Sequence, residues 1–165
     1  MIRVTPKHCY IGLGSNLESP RQQVTTALEE LKQIPGCTLL SSSSLYRSDP
    51  VGPAGQPDYV NAVALLDTAL TPEALLDQLQ ILEQQHRRVR HTHWGPRTLD
   101  LDIIMFGDLI INSDRLAVPH PFAGERNFVL WPLSEISPGL IFPDGRSIND
   151  LLVACPLGTL EKISV

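Results

Sequence analysis

The chain has 165 residues, enough for one domain with a substantial core and too few for two of ordinary size. A hydrophobic fraction of 42% with mean hydropathy near zero describes a folded globule, and no apolar run approaches the ~18 residues of a membrane span. The net charge of −5 argues against general nucleic-acid or acidic-membrane binding, and the three isolated cysteines, Cys9, Cys37 and Cys155, outline neither a disulfide framework nor a zinc site. The opening seven residues lack the apolar core of a signal peptide, so a reducing cytoplasm is the expected setting.

In chain order, residues 9–14 read as a first strand that leads through Ser15-Asn16 to a helix. Ser19 is an expected N-cap, Pro20 the first helical residue and Gln22 the partner of a capping box. Val24, Ala27, Leu28, Leu31 and Ile34 form its apolar stripe, and Pro35-Gly36 stops it. The Gly12-Leu13-Gly14-Ser15-Asn16 run lacks the third glycine of a dinucleotide fingerprint and the Gly-Lys-Ser/Thr of a P-loop, which favours a tight turn of small residues. A second strand is expected over 38–47, then a Pro- and Gly-rich loop at 48–57, then a returning strand over 58–68. On that strand Tyr59, Asn61 and Val63 share a face, a pairing of aromatic and carboxamide that suits a flat polar heterocycle but also serves ordinary packing.

Thr71-Pro72-Glu73 opens a second helix with Leu75, Leu76, Leu79 and Leu82 on its buried side. It runs into a segment where Arg87, Arg88, Arg90 and Arg97 gather with His86, His91 and His93 and without a carboxylate, a cation cluster suited to a small anion. The strand that follows places Leu99, Leu101, Ile103 and Met105 on one face and Asp100, Asp102, Ile104 and Phe106 on the other. The two carboxylates then stand about 7 Å apart on one side of a strand, where like charges repel. A pair of Mg²⁺ ions would offset that repulsion, since the ion takes carboxylate oxygen and shares its other positions with water and phosphate. Arg97, with a planar fork for phosphate oxygens, enters the same corner.

The order β-α-β-β-α-β is that of an α+β, ferredoxin-like fold with two helices on one face of an antiparallel sheet. Residues 109–111 and 116–118 are expected as short additions to the sheet, 129–133 as a short helix broken near Pro132, and 148–152 as the start of a last helix. The tail past Pro156 carries no signal.

The chain resembles the 6-hydroxymethyl-7,8-dihydropterin pyrophosphokinases of folate biosynthesis over roughly residues 10–152, one domain filling the chain. The resemblance rests on Ile11-Gly12-Leu13-Gly14-Ser15-Asn16, Gln56-Pro57-Asp58-Tyr59-Val60-Asn61, Arg88-Val89-Arg90, Trp94-Gly95-Pro96-Arg97-Thr98-Leu99-Asp100-Leu101-Asp102, Pro119-His120-Pro121 and residues 126–133. It implies an α-β-α sandwich around the ferredoxin-like core, and transfer of pyrophosphate from ATP to the pterin hydroxymethyl group with AMP as the second product. Asp100 and Asp102 match the ligands of two Mg²⁺ ions, and Arg88 and Arg97 match arginines on the transferred group. Gln80, Glu83, Arg90, Ile103, Arg115, His120 and Arg126 match positions that hold ATP. Ser48, Val51, Tyr59, Asn61, Trp94 and Phe128 match positions around the pterin. Three positions depart from the common pattern: His93 where many members carry Arg, Asp49 where a small or apolar residue is frequent, and Pro121 in place of Tyr.

The expected partners are therefore two small molecules, with no nucleic acid and no membrane, and the chain is expected to act as a monomer. Two rival readings use the same residues. A nucleotidyltransferase or nuclease would need a further metal ligand or a broad basic surface, and a ferredoxin-like RNA-binding or sensor module would need aromatics along its sheet or binding without turnover.

Overall fold

The computed structural model describes residues 7–16, 19–48, 59–88 and 99–163, with the backbone alone for Arg88. In chain order, β1 (Lys7–Ser15) leads to α1 (Pro20–Leu31), β2 (Cys37–Ser42), β3 (Tyr46–Ser48) and β4 (Tyr59–Thr68). Then come α2 (Pro72–Arg88), β5 (Asp100–Phe106), β6 (Ile111–Asn112) and β7 (Ala117–Val118). A 3₁₀ turn (Ala123–Glu125), α3 (Asn127–Ile136), α4 (Ile148–Ala154) and β8 (Glu161–Lys162) complete the path. The main sheet runs β5-β1-β4-β3-β8, with β2 also on β4, and its pairings are antiparallel. With β2 and β3 sharing the second-strand place, this is the expected βαββαβ order.

Two apolar cores lie on opposite faces of the sheet. On one, Val24, Ala27 and Leu31 of α1 and Leu75, Leu79 and Leu82 of α2 pack against Ile11, Leu13, Leu66, Leu101 and Ile103. On the other, Leu130 and Leu133 of α3, Ile148 of α4 and Phe142 pack against Val63, Ile104 and Met105. Each fully buried side chain of this size contributes about 1.5–3 kcal/mol, so both layers hold the sheet. The result is the α-β-α sandwich.

Local departures from the sequence reading have physical causes. Ser19 does not cap α1: its left-handed backbone (φ 54°, ψ 58°) is not the extended geometry that aims a hydroxyl at the first N–H groups. Thr71 does cap α2, where its Oγ1 accepts from Ala74 N at 3.2 Å. The second strand is broken at Ser43, whose Oγ takes the Val63 N–H at 2.9 Å in place of a backbone carbonyl. α3 runs through Pro132 without breaking, because burial of Leu130, Pro132 and Leu133 outweighs one lost hydrogen bond. β6 and β7 pair with each other as a separate ribbon and do not extend the main sheet. The tail, unreadable in sequence, supplies β8 on the edge of β3.

The strict alternation expected along β5 holds only to Ile104. Pairing passes from Ile11↔Ile103 to Tyr10↔Met105, which leaves Ile104 as the extra residue of a bulge. Met105 therefore joins Ile104 in the second core, and Phe106 turns back into the first. The bulge frees the Ile104 carbonyl, which accepts from His120 N at 2.8 Å.

Between α1 and α2, the buried His86 ring bridges Gln23 and Glu30, the latter at 2.5 Å. On the other face, Glu135 of α3 clasps the break between β2 and β3. It accepts from Tyr46 Oη at 2.6 Å, Ser44 N at 2.9 Å and Ser44 Oγ at 3.0 Å. Burial opposes ionisation of Glu135, but those hydrogen bonds and nearby Lys162 outweigh it and hold the carboxyl below its usual value. A depressed carboxylate pKa contributes stability that is present above the unfolded value, 4.5, and is lost as pH falls through the folded value. Glu135→Gln is expected to lower Tm near pH 7 and to flatten the acid limb of a Tm-versus-pH curve below about 4.5. Parallel acid limbs for variant and wild type would show that the clasp contributes no such stability.

Candidate active site

The site begins with two missing side chains. Gly14 of β1 stands directly between Asp100 of β5 and Asn61 of β4, and Gly12 stands between Asp102 and Val63. Residues directly opposite in an antiparallel pair share a face, so the glycines leave a bare strip flanked by carboxylates on one side and a carboxamide on the other. The strip floors an open cavity of about 510 Å³. A Cβ at Gly14 would lie 3.0 Å from Asn61 Nδ2, and one at Gly12 would lie 3.2 Å from Ile104 Cδ1. These glycines lie in the strand expected over 9–14, and they are needed for space rather than for the tight turn also read there.

At the β4 end the cavity is lined by Ser48, Tyr59, Asn61 and Phe128. Asn61 is 6% exposed, and Ser48 Oγ donates to its Oδ1 at 3.1 Å. That bond leaves the amide Nδ2 over the bare Cα of Gly14. Phe128, in the first turn of α3, supplies a second ring above the sheet. Rings and a fixed carboxamide around an open slot suit a flat heterocycle with a hydrogen-bonding edge.

At the β5 end the cavity holds Asp100 and Asp102 with Arg126. The Arg126 guanidinium lies over two rings, 5.2 Å from the centre of Phe122 and 5.7 Å from that of Phe128, and is thus stacked at the cavity's charged end. His120, held by the bulge carbonyl, faces Asp102 and Arg126. Burial pushes its pKa down, the Asp102 carboxylate opposes that, and Arg126 adds to it, with a net shift below the ordinary value. Its Nδ1 accepts from Phe122 N at 3.2 Å, the role of a neutral ring carrying its proton on Nε2.

The acid pair has the chemistry of a hard-cation site: two carboxylates on one face, Asp102 exposed, beside open volume for water and phosphate oxygens. No cluster of three or more His, Cys, Asp or Glu with metal-binding geometry occurs among the described residues. The thiols do not suggest a nucleophile. Cys9 is fully buried with its pKa driven up by burial, and Cys37 donates to Thr68 Oγ1 at 3.1 Å.

The remaining expected positions fall in two groups. Gln80, Glu83 and Arg115 gather on the α2 side of β5, where Arg115 pairs with Asp77 and donates to Gln80 Oε1 at 3.3 Å, and Glu83 Oε2 accepts from Leu101 N at 2.9 Å. Ile103 is buried in the core beneath α2, outside the cavity lining. Val51, Arg90, Trp94 and Arg97 lie outside the described residues, as do Asp49 and His93 and the side chain of Arg88. The sequence reading missed Asn127 and Thr159, which also line the cavity. For the glycines a signal existed, since two at i and i+2 in a strand bare one face; for Thr159 there was none.

The model of the 7,8-dihydro-6-hydroxymethylpterin-pyrophosphokinase (HPPK) family matches residues 10–138. The chain is 50% identical over 154 residues to the 2-amino-4-hydroxy-6-hydroxymethyldihydropteridine pyrophosphokinase of Pseudomonas aeruginosa, across 93% of this chain and 95% of that one. Against the enzyme of the same name from Haemophilus influenzae it is 48% identical over 143 residues, 87% of this chain and 89% of that one. A crystal structure of Plasmodium falciparum HPPK-DHPS superposes with a TM-score of 0.75 over 92% of this chain at 14% identity, a likeness of fold. There the chain spans 46% of the solved chain's length. With the family match covering most of its length and the cavity built at the matched motifs, the chain belongs to the HPPK family.

Proposed function

We propose that this chain transfers a pyrophosphoryl group from ATP to 6-hydroxymethyl-7,8-dihydropterin. The hydroxymethyl oxygen attacks the β-phosphorus of ATP, the bond from that phosphorus to the oxygen of the α-phosphate breaks, and AMP leaves while the hydroxyl loses its proton. The observation that carries this reading is one cavity with a same-face acid pair at one end, a fixed carboxamide and two rings at the other, and a glycine-cleared floor between them. One compartment thus suits both a phosphate chain and a flat ring.

Two Mg²⁺ ions held by Asp100 and Asp102 would neutralise phosphate charge and lower the pKa of the attacking hydroxyl. The chain's own residues position and stabilise the reactants. Asn61 Nδ2 reads the edge of the pterin, Tyr59 and Phe128 cover its faces, and Arg126, stiffened by its ring contacts, offers guanidinium donors to the phosphates. His120, whose Nδ1 already accepts from Phe122 N, leaves its Nε2 to donate to the phosphates. Arg88, Arg90 and Arg97, and Trp94 over the pterin, complete the proposed set. So do Val51 beside the ring, and Gln80, Glu83, Ile103 and Arg115 toward the nucleotide. Such transfer asks for positioning and charge stabilisation more than for a protein nucleophile. Action as a monomer in a cytoplasmic setting completes the proposal, the three free thiols suiting a reducing compartment.

Product analysis tests the reaction directly. Incubation with ATP, Mg²⁺ and the dihydropterin is expected to give one AMP per pterin consumed, with little AMP when the pterin is absent. ADP as the main product, or AMP formed without pterin, would overturn the assignment. Asp100→Ala and Asp102→Ala are expected to lose more than about a hundredfold in turnover while apo Tm holds or rises, because removing one carboxylate relieves repulsion. Near-wild-type turnover in either variant would remove the acid pair from the metal site. Gly14→Ala is expected to push Asn61 aside and raise the pterin KM by about tenfold or more, with the nucleotide KM little changed; equal shifts in both would show that the floor serves the whole cavity alike.

A further inference from the structure

The cavity has a wall that no motif announced. After α4 the chain makes a turn over residues 157–160, closed by Leu160 N donating to Leu157 O at 3.1 Å, with Gly158 at φ +60°. Thr159 occupies the tip of this turn and lines the cavity together with Ser48 and Tyr59. The mounting is firm at both ends. Asn127 Nδ2 donates to the Leu157 carbonyl at 3.0 Å, and Asn127 is the first residue of α3, between Arg126 and Phe128. Leu160, 2% exposed, plugs the other end into the protein. Beyond it, Glu161 and Lys162 pair with Arg47 and Tyr46, the Arg47–Glu161 ion pair closes to 3.1 Å, and Ile163 N donates to Leu45 O at 2.8 Å.

Position along the sheet decides which part of a ligand Thr159 meets. From β5, which carries the acids, the order runs through β1 and β4 to β3, three strand spacings or about 14 Å away, and β8 lies beyond. The turn leads directly into β8, so Thr159 stands at the end of the cavity remote from the acid pair. The rings and the carboxamide occupy the same end.

We propose that Thr159 is a specificity-determining residue for the heterocycle: its hydroxyl, presented by the clamped 157–160 turn, hydrogen-bonds the polar edge of the flat ring held between Tyr59 and Phe128. The inference rests on the reading of this cavity as the dihydropterin site. The C-terminal segment is on this view part of the binding machinery, and the Asn127–Leu157 bond sets the distance between the turn and the Phe128 ring.

Thr159→Val keeps the shape and removes the hydroxyl, while Thr159→Ser keeps the hydroxyl. Dihydropterin binding is measured by calorimetry on the full chain, alongside steady-state KM values for pterin and ATP and a melting curve for each variant. For Thr159→Val a roughly three- to tenfold weaker pterin affinity and a matching rise in pterin KM are expected, with kcat, ATP KM and Tm unchanged. Thr159→Ser is expected to restore most of the affinity. Gly158→Ala, strained at φ +60°, is expected to tilt the turn and weaken pterin binding in the same direction. Wild-type pterin affinity in Thr159→Val, or equal losses toward pterin and ATP, would overturn the inference while leaving the site reading intact. A wild-type chain that binds no dihydropterin would overturn both.

Discussion

The constraint on which the site depends is that β1, paired on both sides, carries nothing but hydrogen on one face at two successive outward positions. A strand in the middle of a sheet ordinarily fills such positions, because packing there stabilises the sheet. Here Gly12 and Gly14 leave them empty, and the neighbouring strands supply chemistry in place of packing: carboxylates from β5, a carboxamide from β4. The opposite face of the same strand is ordinary. Ile11 and Leu13 point into the core beneath α1 and α2. One strand therefore divides its labour by face, with period two, and the first core supports an opening that the second face does not fill.

Around that opening the second layer is organised by a few polar clasps. Glu135 ties α3 to the break between β2 and β3, which fixes the helix whose first turn carries Phe128. The bulge at Ile104 does the corresponding work at the acid end, since its freed carbonyl holds His120. Both devices are local irregularities of strands. In each case an interruption of the ladder presents a backbone group that holds a neighbouring element.

The βαββαβ order, the two apolar stripes and the same-face acids were legible in the sequence because each depends on local periodicity. Leu75, Leu79 and Leu82 fall at helical spacing, and Asp100 with Asp102 at strand spacing, whatever surrounds them. Readings failed where tertiary pairing decides. The bulge that exchanges the faces of Met105 and Phe106 is set by β1, and the seat of Thr159 by Asn127 and β3, many residues away. Ser19 and Thr71 make a sharper contrast. Both precede a Pro at the first helical position, yet only Thr71 caps, because a cap requires extended backbone as well as a hydroxyl. The rings and the carboxamide were recognisable as residue types, but their convergence on one cavity belongs to the sheet order.

Glu83 offers a consequence of another kind. Among the described residues β5 ends the sheet path on its side, and such a border strand offers backbone groups that can recruit a strand from another molecule. The Glu83 carboxylate occupies the Leu101 N–H at that border. At the opposite border, β8 contributes two charged residues over a length too short to template further growth. The acid-bearing strand at this margin thus has one of its outward backbone donors already engaged, by a side chain from the helix packed beside it.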